Sequence, residues 1–174
     1  MLDTLIERRI NTFETSSCGR LFDAVAALVG LHQVVSFEGQ AAMTLEAIAD
    51  NADEAYDYAV CGHVPLQVDM RPMVLQIVDE VKRGESASRI SARFHNTMAA
   101  VVGDISERVR QSTGLSRVCM SGGCFQNQRL LQLCLASHRA NDFEVYCQRL
   151  VPTNDGGIAL GQAAIVSEML RRGA

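Results

Sequence analysis

The residues of this chain whose types and spacing are typical of a ligand-binding or catalytic site lie in two glycine turns. The first, residues 121–127, reads Ser-Gly-Gly-Cys-Phe-Gln-Asn, and the second, residues 154–157, reads Asn-Asp-Gly-Gly. Each stands where an apolar, strand-like run gives way to an amphipathic, helix-like one. Backbone N–H groups at such a junction point out of a helix N-terminus and attract phosphate. The two turns, one of which carries an acid, predict a nucleotide held by its phosphates with a metal nearby.

Within the first turn, Gly122 and Gly123 allow a phosphate to approach the backbone, although an ordinary tight turn also explains a Gly-Gly pair. Asn127 follows in the first helical turn, where its amide either faces the same crevice or caps the helix. Cys124, at the start of a helix, would be a nucleophile if its thiol pKa were lowered. A buried, inert cysteine is the favoured interpretation for Cys124 and also for Cys18.

Two aspartates are candidate ligands. Asp155 precedes two glycines and opens a helix, so its carboxylate either caps that helix or binds a divalent metal. Asp23 is flanked by the apolar Phe22 and Val25, and burying a bare carboxylate is costly. It therefore needs a partner, either an ion pair with Arg20, which is favoured, or the hydroxyls of a ribose. His95, beside the apolar face of its helix, is expected to pack at the edge of that face.

Helical apolar spacing runs through most of the chain. Capping residues, glycines and prolines bound five predicted helices before the first glycine turn: residues 2–10, 18–29, 39–49, 72–82 and a long one from Ser86 or Ser88 to Gly114. Residues 56–70 differ, because Val60, Val64, Leu66 and Val68 surround Gly62 and Pro65. That pattern predicts a short β-hairpin or an extended loop.

The last third alternates strand, turn and helix twice. Residues 117–120 and 143–147 are the predicted strands, and each leads to a glycine turn and a helix. This alternation predicts an α/β lobe with parallel strands. Ligands bind such sheets at the carboxyl ends of the strands, so both turns are expected to face one crevice.

Composition narrows the classes of function. A chain of 174 residues with a net charge of -4 forms one domain or one lobe and lacks the basic face that nonspecific nucleic-acid binding requires. No apolar run approaches the ~20 residues that span a bilayer. The first residues carry acids where a signal peptide needs basic ones, which favours a cytoplasmic location. Six cysteines without a C-x-x-C pair and four separated histidines form no complete metal site.

Five segments, taken in order, carry a family resemblance: residues 15–28 (TSSCGRLFDAVAAL), 36–42 (SFEGQAA), 94–96 (FHN), 121–127 (SGGCFQN) and 154–163 (NDGGIALGQA). Together they resemble the C-terminal part of the HypF-type carbamoyltransferases, which are hydrogenase maturation factors related to the enzymes that place threonylcarbamoyl on tRNA. The resemblance implies an actin-like ATPase lobe with a ribonuclease-H-like sheet, rich in helices and with a short parallel sheet near the C-terminus.

The resemblance also implies a reaction. An upstream domain makes carbamoyl-adenylate from carbamoyl phosphate and ATP, and the domain partly present here binds that adenylate with a divalent metal. The carbamoyl group then passes to the C-terminal cysteine thiol of a partner maturation protein and becomes the cyanide ligand of a nickel–iron hydrogenase. Neither nucleic acid nor membrane is expected as a partner.

Carried onto this sequence, the family pattern makes Asp155 a metal ligand and gives Asp23 the ribose hydroxyls. The residues implied to line the nucleotide site are Gly39, Gly122, Gly123 and Asn127. Cys18 and Cys124 stand where the family has methionine and valine, which favours buried, apolar-like roles for both.

One departure from the family limits what this chain can do alone. Residues 1–174 are expected to be the C-terminal portion of the catalytic domain, without the paired-histidine segment or the adenylate-forming, zinc-finger and acylphosphatase domains. A metal site needs several ligands, so Asp155 alone should bind metal weakly and the isolated chain should lack turnover. A half-domain also exposes the face that meets the missing lobe, which favours self-association.

Three alternatives stay open on the sequence alone. The chain can be a nucleotide-binding or assembly module without activity. It can be a cysteine-dependent enzyme that uses Cys124. It can also be an O-carbamoyltransferase that acts on a small-molecule hydroxyl, although residues 36–40 and 125–127 favour the hydrogenase type.

Overall fold

The first part of the chain is helical, as its apolar spacing predicts. In this computed structural model, which describes residues 2–12, 15–62 and 65–173, the first three helices are α1 (Leu2–Glu7), α2 (Cys18–Leu28) and α3 (Gln40–Ala47). The Ser17 hydroxyl caps α2 by accepting a hydrogen bond from the Arg20 amide at 3.4 Å. Gly39 begins α3 with a φ of 82°. The predicted starts of α2 and α3 are confirmed, whereas α1 ends before residue 10.

The middle of the chain holds an antiparallel hairpin followed by a helix. Strands β1 (Ala59–Cys61) and β2 (Gln67–Asp69) pair with Val60 opposite Val68. The hairpin prediction is therefore confirmed over the extended loop, although Val64 lies outside the described residues. Helix α4 (Arg71–Lys82) follows with Pro72 in its first turn, where a missing N–H is tolerated.

The longest helix, α5 (Ala87–Thr113), crosses the centre of the molecule. Ser86 caps it through the Arg89 amide at 3.3 Å, and Gly114 ends it in the left-handed region at a φ of 74°. Both ends agree with the sequence prediction. Its apolar stripe is buried and packs against α3, α4 and a later helix, residues 128–140.

The last third has the predicted strand–turn–helix alternation. Its elements are β3 (Arg117–Met120), a 3₁₀ helix (Gly123–Gln126), α6 (Gln128–Ala140), β4 (Glu144–Cys147), a second 3₁₀ helix (Asp155–Gly157) and α7 (Ile158–Arg172). Strands β3 and β4 are parallel, with Arg117 opposite Glu144 and Met120 opposite Cys147. A helix-rich α/β fold with a short parallel sheet near the C-terminus is therefore confirmed.

One apolar core joins these elements. The Phe22 and Phe94 rings meet edge to face with centroids 4.7 Å apart, which fixes α2 against α5. Other large side chains of the core include Val25, Leu45, Met73, Ile77, Ile90, Met120 and Leu130. Burial of this set stabilises the arrangement that places α2, α5 and α6 around the first glycine turn.

Helix α7 differs from α2–α6, each of which has buried side chains, because none of its described residues is buried. Its amphipathic pattern predicts a helix, and the helix forms, but its apolar side chains face outward, with Ile165 62% and Leu170 72% exposed. Within residues 2–12, 15–62 and 65–173, no helix combines the length and the apolar content needed to cross a bilayer.

Candidate functional site

The two glycine turns meet at one edge of the parallel sheet. Because β3 and β4 run in the same direction, residues 121–127 and the segment that leads to residues 154–157 leave the sheet together. The Gly122 N–H donates to the Thr153 carbonyl at 2.9 Å. The Gln148 side-chain amide donates to the Ser121 hydroxyl at 2.6 Å. These two hydrogen bonds confirm that the turns lie side by side.

The backbone of the first turn leaves room for an anion. Gly122 adopts a φ of 97° and a ψ of 165°, a conformation open essentially to glycine alone. A Cβ built on Gly122 or Gly123 meets no heavy atom within 4 Å. Across the residues that the structure describes, no acceptor pairs with the N–H of Gly123 or of Cys124. Two unpaired amides on a turn whose Cβ positions are unobstructed fit a phosphate group.

Asn127 caps α6 and reaches into the core. Its Oδ1 accepts a hydrogen bond from the Leu130 amide at 2.8 Å, and its Nδ2 lies 2.9 Å from His95 Nε2. The capping alternative for Asn127 is confirmed, and both polar atoms of the side chain are engaged within the protein. Its contribution to a nucleotide site stays a prediction and would act by holding the start of α6 in place.

His95 packs beside the Phe94 ring, with ring centroids 5.7 Å apart, as its position next to the apolar face predicts, but it is fully buried and not at the edge of that face. Its Nδ1 donates to the Ser91 carbonyl at 2.7 Å, since a carbonyl can only accept. Its Nε2 therefore accepts from Asn127, and the ring is neutral. The pKa of His95 lies below its ordinary value, chiefly because burial disfavours the charged ring. The hydrogen bond to Ser91 and the Glu46 carboxylate oppose this lowering, and the Arg129 guanidinium adds to it.

This lowered pKa makes the free energy of unfolding depend on pH. An unfolded histidine takes up a proton below about pH 6.5, whereas the folded protein keeps His95 neutral. The unfolded state then binds more protons, so stability falls as the pH drops from about 6.5 towards the folded pKa. Urea unfolding at pH 7.5 and at 5.5 should show this loss, and His95→Gln should lose less. Equal losses in the two proteins would contradict the assignment.

Asp23 lies on the helix that contacts the first turn, and Gly39 precedes the helix that packs on it. The Asp23 carboxylate pairs with Arg20 at 3.3 Å, so the ion pair favoured by the sequence is confirmed. Its side chain remains 35% exposed, which leaves an oxygen accessible to another donor. Helix α2, which carries Asp23, contacts the first 3₁₀ helix and packs on α3, which Gly39 begins. No heavy atom lies within 4 Å of a Cβ built on Gly39.

Asp155 stands exposed at the start of the second turn. The capping alternative for its carboxylate is wrong, because α7 has no side-chain cap, and the 3₁₀ helix before it is capped by Asn154, whose side chain accepts from the Gly156 amide at 3.1 Å. No group of three histidine, cysteine or acidic side chains suited to a metal occurs in the described part of the chain. The described residues therefore do not complete a divalent-metal site by themselves, and among them Asp155 offers one ligand.

Cys18 and Cys124 are half-buried, and of the six cysteines only Cys134 is buried. The expectation that the Cys18 and Cys124 thiols are buried is therefore wrong, because both remain partly exposed. A hydrogen bond from the Cys18 thiol lowers the pKa of Cys124 to about 7. The described histidines bond groups other than Cys124: both ring nitrogens of His95 and of His138, and Nε2 of His32, are engaged elsewhere.

Sequence reasoning missed the side-chain links that build the site. His95 lies four residues after Ser91, which is the spacing of a helical side-chain-to-carbonyl bond. That spacing was a usable signal for a buried, oriented ring. The hydrogen bonds from Asn127 to His95 and from Gln148 to Ser121 join residues far apart in sequence, so no local sequence pattern predicts them.

Comparison with known proteins places this geometry in a family. The family described as "Carbamoyltransferase, Kae1-like Domain, second subdomain" matches residues 1–162. Carbamoyltransferase HypF of Synechocystis sp. is 38% identical over 151 residues, which are 85% of this chain and 19% of that protein. Carbamoyltransferase HypF of Rhizobium leguminosarum bv. viciae is 36% identical over 159 residues, 90% of this chain and 20% of that protein.

A solved structure agrees with these relatives. The crystal structure of full-length HypF in the phosphate- and nucleotide-bound form superimposes with a TM-score of 0.92 at 43% identity, over 97% of this chain and 23% of that one. The chain thus spans about a fifth of the length of the curated relatives it matches. The chain belongs to the HypF carbamoyltransferase family, of whose Kae1-like domain it matches the second subdomain.

Proposed function

We propose that this chain is part of a carbamoyltransferase that acts in hydrogenase maturation in the cytoplasm. In this proposal the lobe has the actin-like ATPase, ribonuclease-H-like fold and holds carbamoyl-adenylate, made elsewhere in the parent protein from carbamoyl phosphate and ATP. The carbamoyl group passes to the C-terminal cysteine thiol of a hydrogenase maturation protein. Relatives named carbamoyltransferase HypF and a HypF structure with phosphate and nucleotide bound support the proposal.

One observation in this chain carries the nucleotide role. The hydrogen bond from Gly122 to Thr153 holds the two glycine turns together, and the first turn has two unpaired amides and unobstructed Cβ positions at both glycines. A phosphate accepts hydrogen bonds from such amides, and their dipoles favour its negative charge. When the acceptor thiol attacks the carbamoyl carbon, the phosphate leaves with extra negative charge. Amides fixed at that point stabilise this charge more than that of the bound substrate.

The other candidate residues fit around that phosphate. The free oxygen of Asp23 can accept hydrogen bonds from ribose hydroxyls, and Gly39 offers open backbone beside α2. Asn127 fixes the start of α6, which follows the first turn. A divalent metal bound partly by Asp155 would offset phosphate charge, and its remaining ligands would come from outside the described residues.

The first experiment is calorimetric titration of this chain with ATP, with and without Mg²⁺. We expect weak binding that Asp23→Ala weakens at least about tenfold, or ~1.4 kcal/mol. Arg20→Ala is the matched control, because it breaks the same ion pair and keeps the carboxylate. Asp104→Ala, which removes an acid paired with Arg108 on α5, should leave ATP binding unchanged.

Either of two results would contradict the assignment. A folded chain that binds no ATP would show that this lobe does not hold the nucleotide by itself. Unchanged ATP binding in Asp23→Ala would remove Asp23 from the site while leaving the glycine turns in question. Circular dichroism and thermal unfolding of each variant separate these results from a loss of folding.

A nucleotide-binding or assembly module without activity is the second candidate. The isolated position of Asp155, with no metal-binding group around it in the part of the chain described, favours this candidate. ATP binding that Mg²⁺ does not strengthen, and that Asp155→Ala does not alter, would support it over the transferase. The outward apolar face of α7 also supports the self-association expected of a half-domain.

A further inference from the structure

Two cysteines that the proposed function does not use lie together beneath the first glycine turn. Cys18 is the first residue of α2, and Cys124 is the second residue of the 3₁₀ helix Gly123–Gln126. The two elements are in contact. The Cys18 thiol donates a hydrogen bond to the Cys124 sulfur, and both side chains are half-buried. The fold thus brings together two thiols that are distant in the sequence.

The contact shifts the pKa values of the two thiols in opposite directions. The donated hydrogen bond lowers the pKa of Cys124 to about 7, against a smaller opposing effect of burial. The same bond, together with burial, raises the pKa of Cys18. Cys124 is therefore in good part a thiolate at neutral pH, whereas Cys18 keeps its proton. Thiol–disulfide exchange uses this division, with one sulfur attacking first and the other completing the exchange.

The neighbouring cysteines are less suited to react with either of them. Burial raises the pKa of Cys134 to about 11, so this core thiol is protonated. Cys61 lies in the β1–β2 hairpin and Cys119 on the exposed side of β3, where it sits opposite Tyr146. The packing of α2 on the 3₁₀ helix therefore leaves Cys18 and Cys124 as the two thiols best placed to react with each other.

We propose that Cys18 and Cys124 form a modification site, a dithiol that a small-molecule disulfide such as oxidised glutathione closes into an intramolecular disulfide. The bridge fastens α2, which carries Asp23, to the turn that carries Gly122 and Gly123. This inference does not depend on the proposed function, because it concerns only the two thiols and their oxidant.

The exchange is balanced in two steps. The Cys124 thiolate attacks one sulfur of the small disulfide, whose S–S bond breaks, and one small thiol leaves with a proton from solvent. Cys18 then gives up its proton, and its thiolate attacks the Cys124 sulfur. The mixed S–S bond breaks and the second small thiol leaves. The protein loses two hydrogens, and the small disulfide is reduced to two thiols.

The test maps cross-linked peptides in the Cys119→Ser variant of this chain. Trypsin places Cys18 in peptide 10–20 and Cys124 in peptide 118–129, which also contains position 119, so that substitution leaves each peptide one cysteine. The folded protein is treated with oxidised glutathione, its free thiols are alkylated and it is digested without reduction. Mass spectrometry should find peptide 10–20 joined to peptide 118–129, with two hydrogens fewer than their sum. Peptide 130–139, with Cys134, should be free of any cross-link.

Single substitutions separate the two thiols. In Cys18→Ser, Cys124 should stop at a stable glutathione adduct, because nothing completes the exchange. In Cys124→Ser, Cys18 should stay unmodified. Cys61→Ser is the matched exposed control and should not change the cross-link. A stable adduct on Cys124 with Cys18 still alkylated in the Cys119→Ser protein would overturn the proposal. A cross-link from Cys18 to Cys134, or no reaction at Cys124, would overturn it as well.

Discussion

Asn127→Ala should lower the free energy of unfolding by roughly 2–4 kcal/mol. Losing the side-chain cap of α6 costs about 0.5–2 kcal/mol. The change also leaves His95 Nε2 as a buried acceptor without a donor, and such an orphan costs about 1–3 kcal/mol. The two losses occur together because one side chain supplies both hydrogen bonds. Urea denaturation at pH 7.5 measures their sum.

Two variants control this measurement. Asn141→Ala removes an exposed asparagine at the other end of α6, whose amide bonds the Ser137 carbonyl, and should change stability by less than about 0.5 kcal/mol. Asn127→Asp keeps an oxygen for the Leu130 amide but places a carboxylate against His95. A carboxylate favours the imidazolium, so Asn127→Asp should recover stability as the pH falls, opposite to the unmodified chain. Equal stability of Asn127→Ala and Asn141→Ala would disprove the double role of Asn127.

Gly122→Ala should destabilise the chain by about 1–3 kcal/mol and weaken nucleotide binding. At a φ of 97° and a ψ of 165°, an alanine is strained, and relief of that strain moves the amide that bonds Thr153. The two glycine turns then lose their alignment. Thermal unfolding and ATP calorimetry together measure both effects.

Gly123→Ala is the matched comparison. Gly123 has no positive φ, and no heavy atom lies within 4 Å of the position that an alanine methyl would take there, so the change should leave stability nearly unaltered. The same methyl would occupy the open space proposed for phosphate and should weaken ATP binding about tenfold or more, ~1.4 kcal/mol. If Gly123→Ala bound ATP normally, the phosphate would not lie on this turn. If Gly122→Ala were as stable as Gly123→Ala, the strain argument would fail.

The elements of the fold were predictable because local signals agree with one another. Ser86 and Gly114 bound α5, and an apolar stripe runs between them, so propensity, capping and periodicity all indicate the same helix. The parallel pairing of β3 and β4 followed from the strand–turn–helix alternation. The approach of the two glycine turns then followed from the direction of the strands.

The interior of the candidate site was less predictable, because its bonds join distant segments. Periodicity placed His95 beside Phe94 but could not show that Asn127 reaches it from another helix. Nor could spacing show that Cys18 and Cys124 meet, since that contact depends on how α2 packs on the first turn. An amphipathic pattern likewise predicts α7 without saying whether anything covers its apolar side.

That uncovered side has a consequence for the dynamics of α7. A helix of 15 residues is near the length at which an isolated helix is marginal in water, and α7 packs chiefly on the second glycine turn. Its amides should therefore exchange hydrogen for deuterium far sooner than those of α5. Any protein surface that covers α7 must order it while binding, and part of the association free energy goes into that ordering. Such a complex should be weaker than its buried area suggests, and its dissociation should let α7 fray.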